Sequence, residues 1–575
     1  MIVPMRHLDL VCVAQERETA LAHLREMGIV HLDLSGASSA EVTAARGELE
    51  AAERAVRLIL RARETADDVP VRPRGVSDVL ALDADRATLV AEADRLEREI
   101  RLYEPYGDFD PELAQRLLDC GVDFSGVAEL PAKLPAMRLS RMVEKLERVR
   151  NRVAIDTARI AGCDAEAIVR RYPDLADRIA FAAAKEKLAD RGAVAVVTGW
   201  VPATLENRLI TAARESGWGV LMRAPEAGEN PPTLIQPPKL FRPVRALFEG
   251  LGVAPGYTEA DVSVPFMCYF SVFFAMLVGD GAYGLIFLLA TLWGWFRFGR
   301  DRAARSWLVL LTVFSLATVV WGALSNTWFG AGIPACADWP TVRWLADPSY
   351  HTMMFLCFTI GASHLMLARL WNAVSTLNST VCLAQLGWAG VLLCMYWVTC
   401  GIVGIFQGPV DAAALAALPE AARTLAWIPR TPGWFFPTFG VSVALVFLFS
   451  VPVRELKARG AELGMLPLSI MSALGDIISY VRLFAVGLAS VKVAENFNSM
   501  ATSLVAGADA AWLKALMALA MVLILVVGHA LNLAMAGLSI LVHAVRLNTL
   551  EFSNHKGVSW AGYAFSPFRR KGSRG

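Results

Sequence analysis

The chain has 575 residues, of which 55% are hydrophobic, and its formal net charge is only +1. This near-neutral balance gives no argument for a nucleic acid or another strongly charged partner. The nine cysteines form no C-x-x-C pair and predict neither a metal site nor a disulfide framework. Charged residues concentrate in the first 240 positions and apolar runs dominate the rest, so a soluble domain followed by a membrane domain is predicted.

Residues 1–240 are predicted to form an elongated arm. The N-terminal stretch "MIVPMRHLDLVCVAQERE" lacks a basic region followed by a long apolar core, so we expect no signal peptide and place the arm in the cytoplasm. "MIVPMRHLDLVCVA" and "GIVHLDL" predict a strand, helix, strand unit, and "AVAVVTGWVP" and "WGVLMRAP" repeat it near residue 200. The sequence therefore predicts two small α/β lobes.

Apolar residues between the two predicted lobes recur at alternating steps of three and four, which is typical of coiled-coil seams. Pro-containing breaks such as "DDVPVRPRG" predict a chain that runs out, folds back and returns as a hairpin. An ordinary helical domain with amphipathic faces remains the alternative. The seam residues are Val42, Ala45, Leu49, Ala52, Val56 and Ile59, then Leu89, Ala93, Leu96, Ile100 and Tyr103, then Met142, Leu146, Val149 and Val153.

A Pro-rich stretch, "GENPPTLIQPPKLFRP", ends the arm, and we predict a linker at 241–264, a membrane domain at 265–555 and a cytoplasmic tail at 556–575. The first apolar run contains "VGDGAYG", whose glycines and Asp280 predict a break between two short helices. Asp280 is expected to close this turn by hydrogen bonding rather than to transport ions. Splitting the run gives eight membrane helices. The apolar runs lie at about 265–297, 306–329, 350–371, 381–406, 434–452, 464–503 and 511–546.

Loop charges support the count of eight. The basic segments "RFGRDRAAR", "ARLWN", "VPVRELKARG" and "FRRKGSRG" then all fall on one side of the membrane. The positive-inside rule places this side and both chain termini in the cytoplasm. Seven helices would put "RFGRDRAAR" on the opposite side, against that rule.

Arg482 lies in the middle of the apolar run 464–503, which as one helix would be about 60 Å long, twice the thickness of a hydrocarbon core. An arginine at the bilayer centre costs at least about 2.5 to 3.5 kcal/mol and usually faces protein or water. Mostly small residues share its helix face, so it is predicted to face the carboxylate of a partner helix. A structural arginine paired within the bundle, or one that snorkels to the interface, is the alternative. The face consists of Gly475, Ser479, Arg482, Val486, Ala489 and Val493.

A polar stripe runs along the last apolar helix, in "GHALNLAMAGLSILVHAVRLNTLEF". Its spacing fits either the lining of a hydrated path or a ladder of hydrogen bonds between helices, and both interpretations stay open. Arg546 and Glu551 lie near its cytoplasmic end, where anchoring at the interface is the alternative to an ion path. The stripe consists of His529, Asn532, Ala536, Ser539, His543 and Arg546.

The segments "LGDIISYVRLFAVGLAS", "GHALNLAMAGLSILVHAVRLNTLEF" and "GYAFSPF" resemble the membrane domain of the a subunit, called subunit I in bacteria, of V-type and archaeal-type rotary ATPases. The upstream segments "GWVP", "NPPT", "FFAMLVGDGAYG", "WGALSNTWFG" and "IGASHL" are similar to family segments in the same order. The resemblance thus covers nearly the whole chain. The chain departs from the family at Ala275, where a glycine is usual.

The resemblance implies an α-helical polytopic membrane protein with eight transmembrane helices, the last two long and tilted, behind a cytoplasmic arm of two α/β lobes and a coiled-coil hairpin. It implies a stator subunit whose Arg482 faces the carboxylates of a rotating c-type proteolipid ring between two ion half-channels. Arg546 matches the second family arginine and Glu551 the acidic residue after it. From helix face and polarity, we expect further half-channel residues at Asp476, Ser479, His529, Asn532 and His543.

The chain contains no G-x-x-x-x-G-K-[ST] loop, so ATP hydrolysis is expected in separate subunits of an ATP-driven, ion-translocating complex. The resemblance implies peripheral stalk subunits on the arm, allows a contact with the ring adaptor of the central stalk, and places the chain in the inner membrane of a prokaryotic cell. No cofactor and no metal are expected, and the ion is H⁺ or Na⁺. A secondary ion transporter, which would show internal repeats, and a membrane-anchored coiled-coil scaffold are the alternatives.

Overall fold

The computed structural model divides the chain into two compact units. The N-terminal unit comprises Pro4–Glu229 with Ser566–Gly575, and the membrane unit comprises Met1–Val3 with Asn230–Phe565. The structure describes residues 1–65, 75–121, 131, 133–226, 228–336, 339–345, 350–408, 423, 425–451, 463–506 and 511–570.

A four-stranded sheet in the order β2-β3-β1-β4 organises the N-terminal unit. β1 is antiparallel to β3, from Met5 opposite Pro202 to Val13 opposite Val194, and antiparallel to β4. Leu8, Leu10 and Cys12 of β1 are buried in alternation, as expected for a strand with one face on the core. The strands are β1 Met5–Val13, β2 Ala189–Arg191, β3 Val194–Pro202 and β4 Gly219–Arg223.

The prediction of two separate α/β lobes is wrong in this respect, because strands from both predicted lobes pair in one sheet. A lobe with one or two strands would leave backbone groups unpaired, whereas β1 finds a partner on each edge. The predicted strand in "GIVHLDL" is reduced to a single bridge between His31 and Trp200. The C-terminal residues also pack here, since the Phe568 N–H donates to the Val30 carbonyl at 2.7 Å.

Helices of the N-terminal unit pack against this sheet. Leu21 and Leu24 of α1 and Leu209 of α8 share a buried cluster with Leu8 and Leu10 of β1. The helices of this unit are α1 Arg17–Met27, α2 Ala40–Arg63, α3 Val76–Tyr103, α4 Pro111–Asp119, α5 Leu139–Ala161, α6 Ala165–Val169, α7 Tyr172–Glu186 and α8 Glu206–Glu215.

The predicted seam residues bring α3 and α5 together as a pair. Ala93 and Leu96 of α3 form a buried cluster with Leu146 and Val149 of α5. Near the start of α3, Val79 shares a second buried cluster with Ile160 near the end of α5, so the helices run antiparallel. The predicted break "DDVPVRPRG" and the basic segment "VPVRELKARG" fall, apart from Gly75 and Val451, outside the described residues.

Six helices of the membrane unit are long and apolar enough to cross a bilayer, and two shorter apolar helices, Ser263–Val278 and Phe435–Phe449, accompany them among the described residues. The helices are α9 Val244–Leu251, α10 Ser263–Val278, α11 Gly281–Phe298, α12 Arg302–Ser325, α13 Pro340–Leu345, α14 His351–Ser375, α15 Val381–Ile402, α16 Phe435–Phe449, α17 Leu466–Ile478, α18 Val481–Ala506, α19 Ala511–Ser539 and α20 Ser553–Lys556.

The predicted break at Asp280 separates α10 from α11. Asp280 is 1% exposed. Its Oδ1 accepts a hydrogen bond from the Ala282 N–H at 2.8 Å, and its Oδ2 accepts one from the Gly330 N–H at 2.7 Å. The carboxylate therefore caps α11 and fixes the loop that carries Gly330, which is the hydrogen-bonding role expected from the sequence.

Candidate functional site

Arg482 lies just after a short interruption of the helical run. α17 ends at Ile478 and α18 begins at Val481, and across the gap the Arg482 N–H donates to the Ser479 carbonyl at 3.3 Å. The Arg482 guanidinium is 23% exposed, and its Nη2 lies 3.5 Å from Oε1 of Glu551. Nη2 also donates to the Ser479 Oγ at 3.0 Å. The arginine thus points toward the segment that carries Glu551.

Two π-helical segments follow α19, at Ile540–Ala544 and Leu547–Phe552. In a π-turn the hydrogen bonds connect residues five apart, so such residues share one side of the helix. Arg546 and Glu551 are five apart, and Nε of Arg546 lies 3.3 Å from Oε1 of Glu551. The π geometry therefore places this arginine and this carboxylate together.

Both guanidiniums approach the same oxygen of Glu551, whose side chain is only 5% exposed. The second oxygen, Oε2, has no hydrogen-bond partner among the described residues. Two positive charges and one negative charge leave these three side chains with a formal net charge of +1. The group can therefore attract a further carboxylate, and a low-dielectric surrounding strengthens this attraction.

Asp476 belongs to a neighbouring polar group that also contains His555 and Arg369. Nε of Arg369 donates to Nδ1 of His555 at 3.1 Å, and Nε2 of His555 lies 3.0 Å from Oδ2 of Asp476. Because a guanidinium can only donate, Nδ1 must accept, and the proton on Nε2 then donates to the carboxylate. Hydrogen bonds therefore connect Arg369 of α14, through His555 of α20, to Asp476 of α17.

His529 and Asn532 form a third group with Tyr283 of α11. The Tyr283 hydroxyl lies 2.7 Å from Nδ1 of His529 and accepts from Nδ2 of Asn532 at 3.1 Å. Nε2 of His529 lies 3.2 Å from Oδ1 of Asn498, and Nδ2 of Asn532 donates to the Ser490 carbonyl at 2.9 Å. These contacts link α11, α18 and α19.

The predicted stripe is thus divided between two groups. His529 and Asn532 belong to the Tyr283 group, and Arg546 contacts Glu551. Nδ1 of His543 is buried and has no hydrogen-bond partner among the described residues.

His555 and Arg369 were not predicted. They meet Asp476 through contacts between helices, which helical periodicity within one segment does not encode.

Searches against known proteins found no matching family model. V-type ATP synthase subunit I of Borreliella burgdorferi is 31% identical over 396 residues, which cover 65% of this chain and 60% of that protein. V-type ATP synthase subunit I 1 of Treponema pallidum is 27% identical over an alignment of 652 residues that covers 99% of this chain and all of that protein. The chain is a homologue of V-type ATP synthase subunit I.

The relatives of this subunit I homologue also include an archaeal protein. A-type ATP synthase subunit I of Methanocaldococcus jannaschii is 24% identical over 404 residues, which cover 65% of this chain and 54% of that protein. The chain therefore spans less than two thirds of the Borreliella and Methanocaldococcus proteins and the full length of the Treponema protein. The family resemblance predicted from the sequence is confirmed.

Proposed function

We propose that this subunit I homologue is the stator membrane subunit of a rotary V/A-type ATPase and couples the translocation of H⁺ or Na⁺ to ATP hydrolysis or synthesis. The observation that carries the proposal is the convergence of Arg482 and Arg546 on one oxygen of the buried Glu551 carboxylate. A purely structural ion pair needs one arginine. The second leaves a positive charge for a carboxylate on another chain.

In the proposed mechanism, each carboxylate of a rotating c-type ring passes Arg482. The guanidinium stays protonated at any working pH, so it cannot itself carry the proton. Its charge favours the ionised form of the passing carboxylate, which then releases its ion. A ring site facing lipid must instead be neutralised by a bound ion, because an isolated charge there is costly. Rotation therefore moves ions, and Arg482 prevents a direct leak.

Two half-channels would lead to Arg482 from opposite sides. Along the chain, Asp476 precedes Arg482, whereas the Tyr283 group contacts α18 at Ser490 and Asn498, beyond it. We assign Asp476 and Ser479 to one half-channel and His529 and Asn532 to the other. His543 and Arg546 follow both groups along the chain.

The proposed topology has eight membrane spans with both termini in the cytoplasm. Six long apolar helices and two shorter ones in the part of the chain that the structure describes support this count. At 16 residues, α10 would be about 24 Å long, somewhat less than the hydrocarbon core. The packing of Phe568 within the N-terminal unit supports placing both chain ends on one side.

We further propose that residues 1–240 are the arm that attaches peripheral stalk subunits. The antiparallel pair of α3 and α5 supports a coiled-coil hairpin in this arm. Residues 241–264 would be the linker, 265–555 the ion-translocating domain and 556–575 the cytoplasmic tail. Separate subunits would hydrolyse ATP, and the central-stalk ring adaptor is a further proposed contact.

The test is ATP-driven uptake of H⁺ and of Na⁺, measured separately, into vesicles that carry the assembled complex. Arg482→Ala is expected to abolish uptake while the complex still assembles, because the ring carboxylate then loses its counter-charge. Arg297→Ala is the matched control, since Arg297 contacts the Phe298 ring and lies outside the segments that carry Arg482 and Glu551. Normal uptake by assembled Arg482→Ala would remove Arg482 from transport and overturn the proposal.

A further inference from the structure

His364 of α14 is completely buried, at 0% exposure, between two aromatic rings. Its imidazole stacks on the Tyr269 ring, with centroids 3.9 Å apart, and on the Phe552 ring, with centroids 4.4 Å apart. Nδ1 lies 2.9 Å from the Tyr480 hydroxyl, and Nε2 has no hydrogen-bond partner among the described residues. Burying a polar atom without a partner costs free energy. A leucine or phenylalanine would avoid that cost, so the imidazole must supply something that an apolar side chain does not.

Tyr480 fits into a socket on α14 that His364 completes. A Cβ atom at Gly361 would lie only 2.4 Å from Cγ of Tyr480, so the tyrosine ring rests directly on the helix backbone. Gly361 and His364 are three residues apart and therefore lie on one face of α14. The glycine makes room for the ring, and the histidine binds its hydroxyl. Tyr480 is itself 0% exposed, and Phe273 contacts its ring edge.

The position of Tyr480 matters because it lies in the interruption between α17 and α18, two residues before Arg482. Here the helix is continued only by short-range turns, such as the Leu483 N–H donating to the Tyr480 carbonyl at 3.1 Å. A fixed side chain at this point determines how α18 leaves the interruption. It therefore also determines where the Arg482 guanidinium points.

The same imidazole also contacts the segment that carries Glu551. Phe552, which stacks on His364, is the next residue after Glu551 and is fully buried. His364 therefore touches both elements of the Arg482–Glu551 pair, one through a hydrogen bond and the other through ring stacking. That pair is separated by 3.5 Å, at the edge of direct contact, so a small shift of either element would change its geometry.

We propose that Gly361 and His364 form a socket for Tyr480 that positions Arg482 relative to Glu551, and that His364 is a positioning residue for ion translocation. This inference rests on the proposed function. Neither socket residue touches the ion. Each affects the position of the Arg482 guanidinium by holding Tyr480 in place.

The test removes one oxygen atom. Tyr480→Phe keeps the ring in the socket and removes the hydroxyl that binds His364. We expect the number of ions transported per ATP hydrolysed to fall about two- to thirteenfold, the range that follows from the net contribution of one hydrogen bond. Tyr396→Phe is the matched control, because it removes a hydroxyl that lies 2.9 Å from the hydroxyl of Thr359, which is on α14 like His364. It should transport like wild type.

A double-mutant cycle tests whether the hydrogen bond itself carries the effect. His364→Phe retains ring stacking and removes the same bond, so its loss should match that of Tyr480→Phe, and the double variant should be no worse than either. A merely structural role would lower the amount of assembled complex and leave the ions transported per ATP unchanged. Wild-type coupling in assembled Tyr480→Phe would overturn the proposal, and that variant decides alone if His364→Phe does not assemble.

Arg482→Ala in the same preparation separates the two proposals. Abolished uptake in Arg482→Ala together with normal coupling in Tyr480→Phe would reject only the socket. Normal uptake in Arg482→Ala would reject the proposed function.

Discussion

The ion pairs between α3 and α5 lie at the surface of the N-terminal unit, whereas the Glu551 carboxylate of the membrane unit is buried and shared by two arginines. Glu97 and Arg150 are 2.7 Å apart, with 32% and 60% of their side chains exposed. Glu551 is 5% exposed and lies 3.3 Å from Arg546 and 3.5 Å from Arg482. The two regions use the same residue types in very different environments, one exposed to water and the other buried.

The difference in burial changes how much free energy each ion pair contributes. Exposed ion pairs are screened by water and salt and contribute about 0 to 1 kcal/mol each. Removing one partner of a buried pair leaves an uncompensated charge and costs about 3 to 5 kcal/mol. The pairs between α3 and α5 are therefore expected to affect mainly stability and solubility, while the charges around Glu551 are expected to decide whether the proposed site works.

Among the changes that test this comparison, the largest effect is expected from neutralising Glu551. Glu551→Gln leaves Arg482 and Arg546 facing each other without the carboxylate between them. The two like charges should move apart, and the guanidinium of Arg482 should leave the position in which we propose that it meets a ring carboxylate. We expect ion uptake by the assembled complex to fall at least about tenfold.

Glu97→Gln is the control for this experiment, because it makes the same chemical change in an exposed pair. It should leave uptake within about twofold of wild type. Equal behaviour of the two variants would show that burial of the Glu551 pair has no functional meaning.

A smaller effect, of opposite sign in the two units, is expected from replacing a helical glycine by alanine. At Gly361 the new methyl group would meet the Tyr480 ring at 2.4 Å, so Gly361→Ala should destabilise the membrane unit by about 1 to 3 kcal/mol. At Gly47 in α2 no described atom lies within 4 Å of the new methyl group. Gly47→Ala should therefore stabilise the N-terminal unit by about 0.5 to 1 kcal/mol through helix propensity.

Thermal unfolding of the purified chain in detergent measures both changes. The unfolding midpoint should fall for Gly361→Ala and rise for Gly47→Ala. A midpoint for Gly361→Ala at or above that of wild type would show that Tyr480 can leave its socket without cost, which would also weaken the positioning role of His364.

The sequence predicted local features of both units and missed those that depend on distant partners. The break at Asp280 was predictable because glycines and a carboxylate are costly inside a lipid-facing helix. The apolar steps in α3 and α5 likewise identified their contact face. The sheet was not predicted, since the partner of β1 lies almost 200 residues away and no local pattern encodes strand order.

The charged site shows the same limit. Arg482 stood out because an arginine in an apolar run is rare. The contact between Arg546 and Glu551 did not, since at 3.6 residues per turn these positions would lie about 140° apart, and only the π-turn aligns them. The sequence signal for His364 was weaker: a glycine three residues before a histidine in "IGASHL". Its role becomes clear only from the structure, where the Tyr480 ring packs on Gly361 and the Tyr480 hydroxyl binds His364.

The smallest effect concerns acid stability of the N-terminal unit. Arg223 binds Glu229 through two contacts, of 2.5 and 2.9 Å, and this pairing lowers the pKa of the Glu229 carboxyl to about 2. A carboxyl whose pKa is lower in the folded state stabilises the fold at a pH above its ordinary value of 4.5, and this contribution is lost as the pH falls toward 2. Glu229→Gln should therefore make local stability less dependent on pH across this window.

Hydrogen exchange of the β4 amides in the whole chain, measured at several pH values between these limits, checks this prediction. Protection in the wild type should decrease with falling pH faster than intrinsic exchange explains, and Glu229→Gln should decrease less. Glu226→Gln is the matched control, because Glu226 also contacts Arg223, at 3.2 Å, but is 72% exposed. If both variants follow the wild-type pH profile, the Arg223–Glu229 pair contributes as little as the other surface pairs of this unit. The contrast with the buried Glu551 pair would then be sharper still.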